Sequence, residues 1–185
     1  QWMAQINGII IDFGCGNGAV LFAALLNGAD SVTGIDISPN AVKLAERVAE
    51  KYQLAEKSTF MTGGIEKLSE FSDSSFDGMI LFNIIDNLYP KDTATVVKHI
   101  GRLLKPGSRL LIKLNPFLEK DYIESNSEYS KAGDNFYKEN SGLYLYNISD
   151  ELLLSMFSRY NMIEQTDVFF KEHNISNRLI YFVKK

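Results

Sequence analysis

The 185-residue chain has a single cysteine, Cys15, so an internal disulfide framework is excluded. A lone thiol suits a reducing, cytoplasmic setting. No stretch approaches the roughly 20 apolar residues of a membrane span, so no membrane segment is expected. A basic n-region followed by an apolar run and a cleavage site is also absent. Cations are in deficit, with 19 Lys and Arg against 23 Asp and Glu and a formal net charge of −4. A partner held by phosphate neutralisation needs clustered cations, which counts against nucleic acid. There is no repeat of solenoid period, no low-complexity tract and no assignable metal-ligand set.

What is present suits one domain over residues 1–185, and 45% hydrophobic residues can supply a core without staples. The chain opens at Gln1, and strand character begins almost at once, so an upstream segment is expected. Strand-like and helix-like segments alternate, which implies a parallel sheet covered by helices. The unbroken run Ile9–Phe13 reads as a central strand buried on both faces. A helix over Ala19–Leu26 and a strand over Ser31–Ile37 follow. Ser38–Pro39 opens the next helix, serine as its cap and proline at its first position. Further strands are expected near Ser58–Thr62, Phe76–Asn83 and Ser108–Leu114, with a helix over Asp92–Leu104 stopped by Lys105–Pro106–Gly107. Ser149 caps a helix that should stop at Asn161. The link Lys171–Asn177 between the last two strands, Ile163–Phe170 and Arg178–Val183, is too short for a crossover, so that pair must be antiparallel. Between Asn115 and Asn147 the periodicity weakens and aromatics accumulate.

The chemistry concentrates in Gly14–x–Gly16–x–Gly18, between the first strand and its helix. Glycine lets the backbone turn sharply and approach a ligand closely, and the helix that follows offers free N–H groups. The spacing alone also fits a dinucleotide loop, since Gly14, Gly16 and Ala19 satisfy G-x-G-x-x-A. Asp36, ending the second strand, lies where a carboxylate can accept from both ribose hydroxyls of an adenosine. Asp12 precedes the loop and separates the candidates. Its charge would repel a pyrophosphate and attract an ammonium or sulfonium, a pair worth about 4 kcal/mol at 4 Å and an effective dielectric of 20.

Asp12–Phe13–Gly14–Cys15–Gly16–Asn17–Gly18 resembles motif I, D-x-G-C-G-x-G, of the class I Rossmann-like S-adenosylmethionine-dependent methyltransferases. Ser75–Phe76–Asp77 and Leu103–Leu110 resemble that family's approaches to its fourth and fifth strands, and the closing hairpin matches its fold. The resemblance covers nearly the whole chain. It implies an α/β, doubly wound seven-stranded sheet of order 3-2-1-4-5-7-6 with an antiparallel last strand and helices on both faces. It also implies S-adenosyl-L-methionine as cofactor. By position, Asp12, Gly14, Cys15, Gly16 and Gly18 form the loop on the methionine side, and Asp36 would hold the ribose. Ile37 would pack on the adenine, with Gly64 and Ile65 beside it, although the aspartate often found there is missing. Asn83 would give backbone contacts near the methionine moiety. Asn83–Ile84–Ile85–Asp86–Asn87–Leu88 lacks the N-P-P-[FY] pattern and reads as in the small-molecule branch. Relatives usually carry N-terminal helices that close over the site.

Methyl transfer rests largely on proximity and orientation, so a general base is optional. Neither His99, inside a helix, nor His173, in the last hairpin loop, is placed to be one. Asp86, Asn87, Tyr144 and Tyr146 are the candidates for contact with a small-molecule acceptor, and 115–147 is expected to be an inserted substrate cover. Two other functions fit part of the pattern: a methyltransferase-like module that binds without catalysis, and a nicotinamide-dependent reductase.

Overall fold

Strand β1 (Ile9–Phe13) takes the centre of the main sheet because Ile10 and Ile11, pointing to opposite faces, are both fully buried. The computed structural model describes residues 6–171 and 175–185. β1 runs parallel to β2 (Ser31–Asp36) on one side and to β4 (Phe76–Phe82) on the other. β3 (Ser58–Thr62) continues outward beyond β2, and β5 (Leu104–Leu114) beyond β4. A short three-stranded sheet, β6 (Tyr129–Gly133), β7 (Phe136–Glu139) and β8 (Tyr144–Tyr146), precedes the final hairpin of β9 (Tyr160–Phe170) and β10 (Ile175–Lys184). The main sheet therefore has the order β3-β2-β1-β4-β5-β10-β9, with β10 antiparallel to both neighbours. The expected order, 3-2-1-4-5-7-6, counted seven strands. The observed numbering departs from it because three strands of the second sheet come before the last pair.

Helices cover both faces. On one, Leu21 and Ala24 of α1 (Ala19–Leu26) pack on Ile10, Val32, Ile80 and Leu111. On the same side Ala45 and Ala49 of α2 (Pro39–Lys51) meet Phe22, with Phe60 of β3 against them. On the other, Val96, Ile100 and Leu103 of α3 (Pro90–Leu103) and Leu153 of α5 (Asp150–Met156) join Ile11, Met79, Leu110, Ile112 and Ile180. The helix starts behave as their sequences require: Ser38 Oγ accepts from Ala41 N at 3.3 Å, and Ser149 Oγ from Leu152 N at 3.2 Å.

Several boundaries differ from the sequence reading. The helix capped by Ser149 ends at Met156, short of Asn161, because Phe157 and Tyr160 turn inward to pack on Phe182. α3 passes directly into β5, and Lys105–Gly107 forms an irregularity inside that strand, with Gly107 at φ +77°. β2 stops at Asp36 and β4 at Phe82, each one residue early. The weakly periodic segment holds the helix α4 (Lys120–Ser125) as well as the small sheet, built on its own core of Ile123, Tyr137 and Leu145. The Asn147 amide closes its base, accepting from Leu118 N at 3.0 Å and donating to Leu118 O at 2.7 Å. Among the described residues no helix is long and apolar enough to cross a membrane.

Candidate active site

The two carboxylates expected to flank the glycine loop lie at the same end of the sheet. β1 and β2 pair with Asp12 opposite Gly34, so Asp36 emerges two residues beyond it along β2, close enough for the two charges to repel. Asp36 shapes the loop: Oδ2 accepts from Gly16 N at 2.7 Å and Oδ1 from Ser38 N at 2.9 Å. Gly14 N and Cys15 N both donate to Ile35 O, at 2.8 and 3.0 Å. Gly14, at φ +86°, has no room for a Cβ because Ile84 fills that space. Gly16, at φ +53°, faces open space, which leaves its backbone approachable. Cys15 packs its sulfur toward Gly34, and burial with two nearby carboxylates pushes the thiol up to about 12.

Asp12 is 3% exposed, and its Oδ1 has no hydrogen-bond partner. Burial, reinforced by Asp36, pushes its carboxyl up to about 8. A buried carboxyl with an unused oxygen and, among the described residues, no cation beside it fits a cationic ligand group. S-adenosylmethionine carries one in its ammonium, so the residues present fit that cofactor. Asp36 fits as well, since a carboxylate has about four lone-pair sites and Gly16 N and Ser38 N take two of them. Ile37, 80% exposed beside Asp36, offers an apolar face. Gly63 N donates to Asp36 O at 3.0 Å, which brings the turn after β3 against this end of β2. Gly64 N donates to Glu66 Oε1 at 2.7 Å, so Glu66 stands by the place where an aspartate was missing, and Ile65 packs into the main core. The sequence reading overlooked Glu66 because its carboxylate reaches back two residues.

A cavity of about 880 Å³ opens beyond the C-terminal ends of β4 and β5. Asn83, Asn87, Lys113 and Asn115 line it on the main sheet's side together with Asn177 of β10. Tyr122, Tyr129, Leu143 and Leu145 line it from α4 and the small sheet. Ile84, next to Asn83, touches the Gly14 bend, so the cavity adjoins the loop. Asn83 is left-handed at φ +55°, a conformation asparagine tolerates better than most side chains.

Of the four candidate acceptor contacts, the structure brings only Asn87 to the cavity. Asp86 is 2% exposed beneath it, with Oδ2 accepting from Asn115 N at 2.6 Å and its backbone O accepting from Tyr146 N at 2.7 Å. Burial pushes the Asp86 carboxyl up to about 6, while the Asn115 N–H and the charges of Arg178 and Lys113 hold it down. Tyr144 and Tyr146 lie on the opposite face of β8 from Leu145, the residue that lines the cavity, since strand side chains alternate. Tyr144 instead stacks on Phe136 at 5.2 Å and meets Tyr89 at 4.8 Å. Asn115, Asn177 and Lys113 were missed, because nothing in the sequence links positions so far apart. His99 lies on α3 against Arg102, at 3.2 Å, and His173 falls outside the described residues.

Residues 6–159 match the family model described as a methyltransferase domain. The chain is 34% identical over 131 residues to a ribosomal protein L11 methyltransferase of Hahella chejuensis, covering 70% of this chain and 41% of the relative. It is 30% identical over 126 residues to a sterol 4-C-methyltransferase of Caenorhabditis elegans, covering 66% and 35%. It thus spans less than half the length of these curated relatives. Among solved structures, 1,6-didemethyltoxoflavin-N1-methyltransferase of Burkholderia thailandensis, with S-adenosylhomocysteine bound, shares the fold at a TM-score of 0.75 and 16% identity, over 96% of this chain and 71% of that one. The chain belongs to the methyltransferase-domain family, within the class I S-adenosylmethionine-dependent methyltransferases.

Proposed function

We propose that this chain transfers a methyl group from S-adenosylmethionine to a small-molecule acceptor held in the cavity under α4 and β6–β8. The observation that carries the reading is the adjacency of loop and cavity: Ile84 occupies the Cβ space of Gly14, and its neighbour Asn83 lines the cavity wall. When bound, the cofactor supplies a methyl group activated by a sulfonium leaving group. Asp12 would hold the ammonium, Asp36 the ribose hydroxyls, and the bends at Gly14, Gly16 and Gly18 would keep side chains out of the way, with Ile37, Gly64 and Ile65 around the adenine. The cavity walls would hold the acceptor beside the loop, where positioning can contribute up to about 7–11 kcal/mol. Its volume falls within the range of drug-sized ligand sites, roughly 300–1,000 Å³, and residues 115–147 serve as its cover.

One relative acts, by its name, on a ribosomal protein, which favours a side chain of a protein as the competing acceptor. Screening tritiated methyl transfer over small-molecule and protein pools separates these readings, with Asp36→Ala as control. Transfer to the small-molecule pool alone is expected, and transfer to protein alone would overturn the reading. A module that binds without catalysis would bind S-adenosylhomocysteine and label neither pool. A nicotinamide-dependent reductase would bind NADH in calorimetry, which the buried acid Asp12 opposes.

A further inference from the structure

The polarity of the asparagine cluster can be derived from a single bond. Asn87 Nδ2 donates to the backbone carbonyl of Asn83 at 2.8 Å, and a carbonyl can only accept, which fixes the Asn87 amide. Asn87 Oδ1 then faces Asn115 Nδ2 at 3.3 Å, so Asn115 turns its oxygen to Asn83 Nδ2 at 3.0 Å. Asn83 Oδ1 is left to accept, at a long 3.5 Å, from Asn177 Nδ2. Each carboxamide has two N–H groups and one oxygen. Three of the four oxygens are engaged inside the cluster, whereas among the described residues each amide keeps a second N–H outside it. The wall is therefore rich in donors.

It is also rigid. Buried Asp86 and Arg178 hold the Asn115 peptide from both ends, Oδ2 accepting from its N at 2.6 Å and Nε donating to its O at 3.2 Å. Lys113 adds an ammonium that sits 4.9 Å from the centre of the Phe82 ring. The opposite wall is aromatic and aliphatic. Among the described residues the one carboxylate lining the cavity, Glu139, belongs to that cover, where Ser141 Oγ donates to it at 2.9 Å. Tyr122 and Tyr129 are the other titratable lining groups, and no described histidine lines the cavity to serve as a base.

We propose that the acceptor is a flat enol or phenol bound as its oxyanion, its oxygen among the amides of Asn83, Asn87 and Asn115 and the Lys113 ammonium, its ring against the cover. This deepens, and rests on, the reading of the cavity as the acceptor site. On binding, the acceptor O–H bond breaks, its proton passes to solvent, and the electron pair stays on oxygen, where fixed donors stabilise it without a base. Burial holds Lys113 below its ordinary range, and an anion beside it would raise it again, as Asp86 already does in part.

4-Nitrophenol, whose phenolate absorbs visible light, is the probe. In slightly acidic buffer with S-adenosylhomocysteine present, adding the protein should raise the phenolate band. 4-Nitroanisole, nearly the same shape without an ionisable oxygen, should bind at least about tenfold more weakly. Asn87→Ala and Lys113→Met should each weaken phenolate binding by about ten- to a hundredfold, with S-adenosylhomocysteine affinity kept as the check on folding. A bound probe that keeps its neutral spectrum, equal binding of the anisole, or no binding would overturn the proposal. S-adenosylhomocysteine binding without the phenolate band sinks this inference alone, whereas the band without S-adenosylhomocysteine binding sinks the methyl-transfer reading and leaves the oxyanion cavity standing.

Discussion

Asp12 and Asp86 are both buried carboxyls with one unpartnered oxygen and a raised pKa, yet their surroundings are opposite. Around Asp12 the charged neighbour is another acid, Asp36, so the protein holds a potential anion that no described residue neutralises. Around Asp86 stand the Asn115 N–H, Arg178 and Lys113, so the protein supplies the partners itself. Such a buried acid is costly to ionise unless something compensates it. The contrast separates a carboxyl that no described cation balances from one that holds an architecture.

The comparison breaks most sharply at Asp86. Asp86→Ala should destabilise the fold by about 1–3 kcal/mol, since it leaves the buried Asn115 N–H without its acceptor, while Arg178 keeps Asp150. Urea denaturation measures this, and a loss under about 1 kcal/mol would remove Asp86 from its structural role. Asp12→Asn should do the reverse, weakening S-adenosylhomocysteine binding by about 10- to 150-fold in calorimetry with stability unchanged or raised. Asp36→Ala belongs with it, at roughly ten- to several-hundred-fold.

pH sharpens the same contrast. Each carboxyl keeps its proton longer in the folded state than in the unfolded one, so each makes stability fall as pH rises. For Asp12 that window runs from 3.8 to about 8, and for Asp86 from 3.8 to about 6. A cationic ligand selects ionised Asp12, so affinity should climb by about tenfold per pH unit below about 8 and then level off. Calorimetry in buffers of different ionisation enthalpy should register about one proton released near neutral pH, and none in Asp12→Asn. The smallest effect is expected at Tyr144→Ala, which loses ring contacts worth about 0.5–1.5 kcal/mol. Acceptor turnover should not change, and a fall in kcat would return Tyr144 to the cavity.

The glycine loop was legible in the sequence because its chemistry is local: strand, bend, helix and both acids lie within residues 9–36. The cavity was not, because its floor joins residues 83, 87, 113, 115 and 177, brought together by the crossing from β4 to β5 and the return of β10. Tyr144 and Tyr146 drew attention by composition, while the alternation of a three-residue strand turned Leu145 inward instead. The three extra strands are hard to read in the sequence because none exceeds five residues and β6 and β7 lack an alternating burial pattern.

By itself the sequence determined the alternation of strands and helices, the glycine bend and the two acids beside it, since these depend on apolar periodicity and on backbone angles that glycine alone adopts freely. Tertiary structure decided which acid is left unpaired, which asparagines share one network and which way their amides point. Those properties belong to distances between segments remote along the chain, and only the folded sheet sets them.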